Sequence, residues 1–221
     1  MPSNLPPVTR NLLIANIVVF ALQWLLHDST TLALSREFAL WPLGPDVTGA
    51  VAGGQVITVG FRFWQVVTYA FMHGGVTHIL FNMFALYMFG GTIERTFGTR
   101  HFIVYYFACA IVAAVAQLLV VKYFTHGFYP TIGASGAIFG LLLAFGMLYP
   151  QEKVMLIFLP VPMPAWLFVI GYAAVELVLG VTGTAAGVAH FAHLGGMLGG
   201  LLLIQYWRGT FPIKPKRRLM R

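Results

Sequence analysis

The chain has 221 residues, of which 59% are hydrophobic and only 9% charged, with a formal net charge of +7. That balance belongs in a bilayer. A single cysteine, Cys109, excludes a disulfide framework and a thiol-rich metal site.

Apolar runs long enough for helices recur near residues 11–26, 76–93, 101–121, 136–149, 164–180 and 189–207. They predict an all-α polytopic membrane protein, a compact bundle of six transmembrane helices in one domain spanning residues 1–221. Its core covers about 10–207, and 208–221 form a basic tail. The first run follows Arg10 as a secretion signal would, but no small-x-small cleavage site comes after it, so it is expected to be a retained span. The long connection from 27 to 74, with "FALWPLGPD" and "GFRFWQVVTYAFMHGG", reads as short helices in the outer interface anchored by Trp41 and Trp64. The fourth run, Ser135 to Tyr149, is the shortest, at about 22 Å against a hydrocarbon core of roughly 30 Å. With its inner end at the interface, Ser135 begins below the outer membrane surface.

The tail "RGTFPIKPKRRLMR" carries six of the thirteen Lys and Arg residues, and the positive-inside rule places it in the cytoplasm. Six spans then put Arg10, Arg95, Arg100 and Lys153 inside as well, against Arg36, Arg62 and Lys122 outside. Both termini are expected to be cytoplasmic, in a bacterial inner membrane. The positive charge is read as topogenic and as attraction to anionic lipid, not as a nucleic-acid surface.

In this topology the second, fourth and sixth spans run inward, and each carries polar groups at its outer end. These are His78 and Asn82, then Ser135, then His190 and His193. Polar groups inside a membrane are costly unless they pair or line a wet cavity, so their convergence marks a site. Each has a plainer explanation when taken alone. Gly133 and Ala137, and Gly136 and Gly140, are small-xxx-small pairs that favour helix contact, and on spacing alone packing outweighs chemistry for Ser135. His78 and Asn82 share one helix face and could bridge two helices. His190 and His193 lack a third ligand of recognisable spacing, so neither a metal nor any other cofactor is expected. Taken together the set suffices for acyl transfer. Ser135 can be the nucleophile, His193 the base, and His78, Asn82 and the Ser135 N–H the oxyanion donors.

"GASG" around Ser135, "HGGVTHILFN" from His73 to Asn82 and "AHLGGMLGG" from Ala192 to Gly200 resemble the rhomboid intramembrane serine proteases. The resemblance covers about 10–207. It implies a Ser135–His193 dyad without a carboxylate, with Ala192, His193, Gly196 and Gly200 matching the AHxxGxxxG pattern that His190 does not fit. By the same resemblance His78 and Asn82 form the oxyanion pair, and Phe139 packs on the catalytic histidine. Gly133 and Gly136 flank the serine, His73 and Trp64 belong to the interfacial first loop, and Glu94 has a structural role. Two departures, Gln65 where some members have arginine and Arg95 where some have the basic residue one position later, put loop and turn stability in question.

The implied substrates are transmembrane segments of single-span or polytopic membrane proteins, unwound near their outer end and cut after a small residue. Nearby Gly or Pro would help by lowering helix propensity. Glu176, in "GYAAVELVLG", is expected to hydrogen-bond in the outer bundle or act in gating rather than orient His193, so that Glu176→Gln leaves cleavage largely intact. Zinc-type intramembrane proteolysis lacks its HExxH string, and the aspartyl type would need membrane aspartates, whereas Asp28 and Asp46 lie in or near the first loop. The alternative is a non-catalytic relative that binds membrane helices and guides their folding or turnover. Such relatives usually lack the serine or the histidine. A transporter lacks an internal repeat and a charged pathway here.

Overall fold

The computed structural model describes residues 5–25, 29–50, 56–156, 159–183 and 188–212. Most of the basic tail, and Asp28, lie outside the described residues. In chain order the helices are α1 Pro7–Leu25, α2 Ser29–Phe38, α3 Gln65–Thr68 and α4 Val76–Phe97. There follow α5 Thr99–Thr125, α6 Ser135–Leu148, α7 Ala165–Thr182 and α8 His190–Arg208. A helix thus stands on each of the six apolar runs. Among the described residues α1, α4, α5 and α7 are long and apolar enough to cross a membrane. α6 has only 14 residues, and α8 interrupts its apolar run with two histidines, Gln205 and paired glycines.

The chain is mostly helical, as expected, and among the described residues its paired strands are confined to connections. Two antiparallel hairpins occupy connections, β1 Val47–Ala50 with β2 Val56–Val59, and β3 Lys153–Leu156 with β4 Leu159–Pro164. Val47, Thr48, Val56, Ile57, Thr58 and Val59 are β-branched residues that suit a short ribbon better than the interfacial helix expected there. The first loop does contain helices, α2 and α3, but the hairpin lies between them.

Contacts at the two ends show that α1 and α4, and α5 and α8, run in opposite directions. At one end the Glu94 carboxylate of α4 accepts from the Val8 N–H at 3.0 Å, the Thr9 N–H at 2.7 Å and the Thr9 hydroxyl at 2.8 Å, tying down the start of α1. Trp207 of α8 packs there on Phe97 and Tyr105. At the other end Gln23 of α1 exchanges hydrogen bonds with the backbone of His73, just ahead of α4. Glu94 therefore has the structural role the sequence suggests: it satisfies amides that a helix start leaves unpaired.

α5 forms the centre, with Phe102, Tyr105, Tyr106, Cys109, Ala110, Ala113 and Ala114 buried. Small residues set how close its neighbours come. A methyl on Gly195 would stand 2.5 Å from Ala116 Cβ, and one on Gly199 would stand 2.9 Å from Val112 Cβ. Hydroxyls complete the seams: Tyr105 donates to the Gly140 carbonyl and Tyr69 to the Ala110 carbonyl, each at 2.7 Å.

Candidate active site

Ser135 is the first residue of α6, in the turn where helix amides have no partner inside the helix. The first bond of this helix, from the Ile138 N–H to the Ala134 carbonyl, leaves the Ser135, Gly136 and Ala137 amides at the open end. Two contacts fix the approach to this turn. Leu40 and Thr131 form a backbone bridge, and the Gly133 N–H donates to the Tyr69 carbonyl at 2.9 Å. Gly133 itself has φ +118, where a side chain is strained, and a methyl there would stand 2.7 Å from His78 Nε2.

α6 and α8 then meet backbone to backbone. A methyl on Gly196 would run into the Gly136 carbonyl oxygen, and one on Gly136 would stand 2.5 Å from Ala113 Cβ. This close approach brings His193 Nε2 to 2.8 Å from Ser135 Oγ. The Phe139 ring, one turn along α6, lies flat on the His193 ring, with centroids 4.2 Å apart and planes 6° from parallel. Packing and chemistry are therefore the same feature here. The small residues that favour helix contact are what put the hydroxyl within reach of the imidazole.

On the other side of Ser135 stands α4. The Gly74 N–H donates to His78 Nδ1 at 3.3 Å, so a neutral His78 carries its hydrogen on Nε2, the nitrogen beside Gly133. Asn82, buried one turn further along, gives one amide hydrogen to the His78 carbonyl at 2.9 Å and keeps a second donor. His73 is 2% exposed and lies edge-on behind His78, at 5.1 Å between centroids. Burial, and then the neighbouring His78, push the His73 imidazole down to about 4, so it stays neutral and supports His78 by packing.

Three further residues bear on the site. Gln65 is fully buried in the first loop. Its oxygen accepts from the Trp41 and Arg62 amides at 3.2 and 3.1 Å, and its nitrogen donates to the Gly60 carbonyl at 3.3 Å. The departure from arginine is thus absorbed locally. Trp64 donates to the Glu37 carbonyl at 2.7 Å, holding the same loop. Glu176 of α7 brings the third group that the spacing of His190 and His193 lacks. Its Oε2 lies 2.6 Å from His190 Nδ1 and 3.0 Å from His193 Nδ1, and these three are the group that could hold a metal ion among the described residues. The 2.6 Å separation is a hydrogen bond, so carboxylate and imidazole satisfy each other directly. An intramembrane charge was the sequence signal for Glu176, but its partners depend on how α7 is rotated, which sequence spacing does not reveal.

Residues 60–209 match the family model described as the Rhomboid domain. The chain is 33% identical over 163 residues to "Rhomboid protein 1, mitochondrial" of Saccharomyces cerevisiae, covering 70% of this chain and 45% of that protein. It is 31% identical over 142 residues to "Rhomboid protease GluP" of Bacillus subtilis, covering 63% of this chain and 25% of that protein. With "Presenilin-associated rhomboid-like protein, mitochondrial" of Mus musculus it shares 30% identity over 152 residues, 65% of this chain and 39% of that protein. The chain therefore spans less than half the length of these relatives. A match that begins in the first loop and runs through α8, over a largely helical membrane protein, makes this chain a member of the rhomboid family.

Proposed function

We propose that this chain is an intramembrane serine endopeptidase that cleaves transmembrane segments near their outer end with a Ser135–His193 dyad. The observation that carries the reading is the 2.8 Å approach of His193 Nε2 to Ser135 Oγ. In the proposed reaction Ser135 Oγ attacks the substrate carbonyl carbon while His193 Nε2 takes its proton. The oxyanion receives hydrogen bonds from His78 Nε2, Asn82 Nδ2 and the Ser135 amide. The C–N bond then breaks, His193 returns the proton to the leaving amine, and water hydrolyses the acyl-enzyme by the same proton path. Gly133 and Gly136 keep the nucleophile turn close to α4 and α5, Gly196 keeps α8 against it, and Phe139 and His73 back the two imidazoles.

The reading includes six spans, with α6 and α8 crossing alongside α1, α4, α5 and α7. Both termini lie in the cytoplasm of a bacterial cell and the site is near the outer face of its inner membrane. A short α6 supports the position of the site, since a 14-residue helix rises about 21 Å and leaves room above Ser135 for water. The partners are single-span or polytopic membrane proteins and the lipid bilayer itself, with no nucleic acid and no cofactor.

The test is cleavage of a reporter single-span protein by the full chain in detergent. Activity that survives chelator and is lost in both Ser135→Ala and His193→Ala is expected. Full activity in either variant overturns the dyad, and no cleavage by the wild type favours the non-catalytic relative.

A further inference from the structure

A carboxylate in an apolar membrane helix is costly unless it is paired, so Glu176 requires a partner. The start of α8 supplies two. Gly180, one turn beyond Glu176, leaves room for that start, since a methyl there would stand 3.1 Å from both His190 Cβ and the Phe191 ring. Glu176, His190 and His193 are 4%, 6% and 8% exposed, so bulk water does not screen them from one another. The two nitrogens of the His193 ring thereby face different helices, Nδ1 the α7 carboxylate at 3.0 Å and Nε2 the α6 hydroxyl at 2.8 Å.

We propose that Glu176 is a positioning residue for the base and that His190 holds Glu176 in place, so that Ser135, His193, Glu176 and His190 act as one array. The proposal rests on the hydrolase reading above and reverses the sequence expectation that Glu176→Gln leaves cleavage largely intact. A carboxylate beside Nδ1 favours the tautomer with hydrogen on Nδ1, which leaves the Nε2 lone pair facing Ser135. Once Nε2 takes the serine proton, the imidazolium already has its counter-charge. His193 Nδ1 lies within reach of Oε2 but makes no hydrogen bond to it, whereas His190 Nδ1 does. Glu176 therefore acts on His193 by charge, and its aim is set by His190. The other groups facing His193 are His190 on its own helix, with ring centroids 6.5 Å apart, and His78 from α4. From α6 come Ser135 and the Phe139 ring, and Phe139 in turn packs on Tyr172 of α7 at 5.0 Å. None of these supplies a negative charge, so Glu176 is the counter-ion among the described neighbours.

The experiment compares wild type, Glu176→Gln and His190→Gln, full-length and in one detergent, by pH–rate profile and by imidazole ¹⁵N NMR. Glu176→Gln is expected to lower kcat about 10- to 100-fold with KM nearly unchanged, less than the roughly 10⁴-fold loss at an aligned triad carboxylate. Its pH–rate profile changes shape, because the carboxylate beside the imidazole is gone. His190→Gln gives a smaller loss in the same direction. In the wild-type spectrum His193 carries its hydrogen on Nδ1, and Glu176→Gln mixes the tautomers. A Glu176→Gln protein with unchanged profile shape and unchanged tautomer overturns the proposal, whatever its rate. Cleavage lost in chelator and restored by zinc also overturns it, making the three residues a metal set. If the wild type cleaves nothing, the hydrolase reading fails, and the tautomer still decides for or against Glu176.

Discussion

α6 and α7 touch the same histidine and are held in opposite ways. Nine of the fourteen residues of α6 are buried, and its glycines press against Ala113, Cys109 and the backbone of Gly196. α7 is as apolar, yet its buried residues are Ala165, Phe168 and Val169 near its start and then Glu176 alone. Ile170, Val175, Leu177, Val178 and Val181 face outward. Both helices are apolar, but in a bilayer lipid competes for apolar surface, so small residues decide which helix packs tightly. Ser135, the proposed nucleophile, is consequently fixed by backbone contact over a whole helix. Glu176, the proposed counter-ion of His193, is held by its hydrogen bond to His190 at the start of α8.

This difference can be broken from either side. Gly196→Ala should do the most damage, since the added methyl meets the Gly136 carbonyl oxygen and must push α6 and α8 apart. Overpacking of this kind costs about 1–3 kcal/mol or more, and cleavage should fall with thermal stability in detergent. Next comes Glu176→Gln, which should spare the thermal midpoint while changing the pH profile as described above. The smallest effect belongs to Gly171→Ala on the outward face of α7, where nothing lies within 4 Å of the added methyl. A change within about 1 kcal/mol, in the stabilising direction, is expected from helix propensity. The two Gly→Ala variants are chemically identical, so equal thermal shifts would remove the distinction between the helices.

Much of this arrangement is legible in the sequence, and the limits are physical. The six apolar runs give the helices, because bilayer insertion needs length and apolarity and little else. Ser135 and His193 stand out because each is surrounded by glycines, and the same glycines make their helices adjacent. The Glu176 contact is not legible, because α7 is apolar all round and its rotation about its axis leaves no periodic trace. Gln65 reads as a departure until the path of the first loop shows three backbone groups, from Trp41, Gly60 and Arg62, converging on its amide. The first-loop hairpin is not legible because two four-residue strands in a long loop carry little signal against an interfacial helix.

The central claim is that His193 makes Ser135 nucleophilic. Labelling the detergent-purified full chain with a fluorophosphonate, whose P–F bond breaks as the serine oxygen bonds to phosphorus, tests it directly by peptide mass spectrometry. Modification at Ser135 that disappears in His193→Ala is the predicted result; labelling at another residue, or labelling of Ser135 undiminished in His193→Ala, would contradict it.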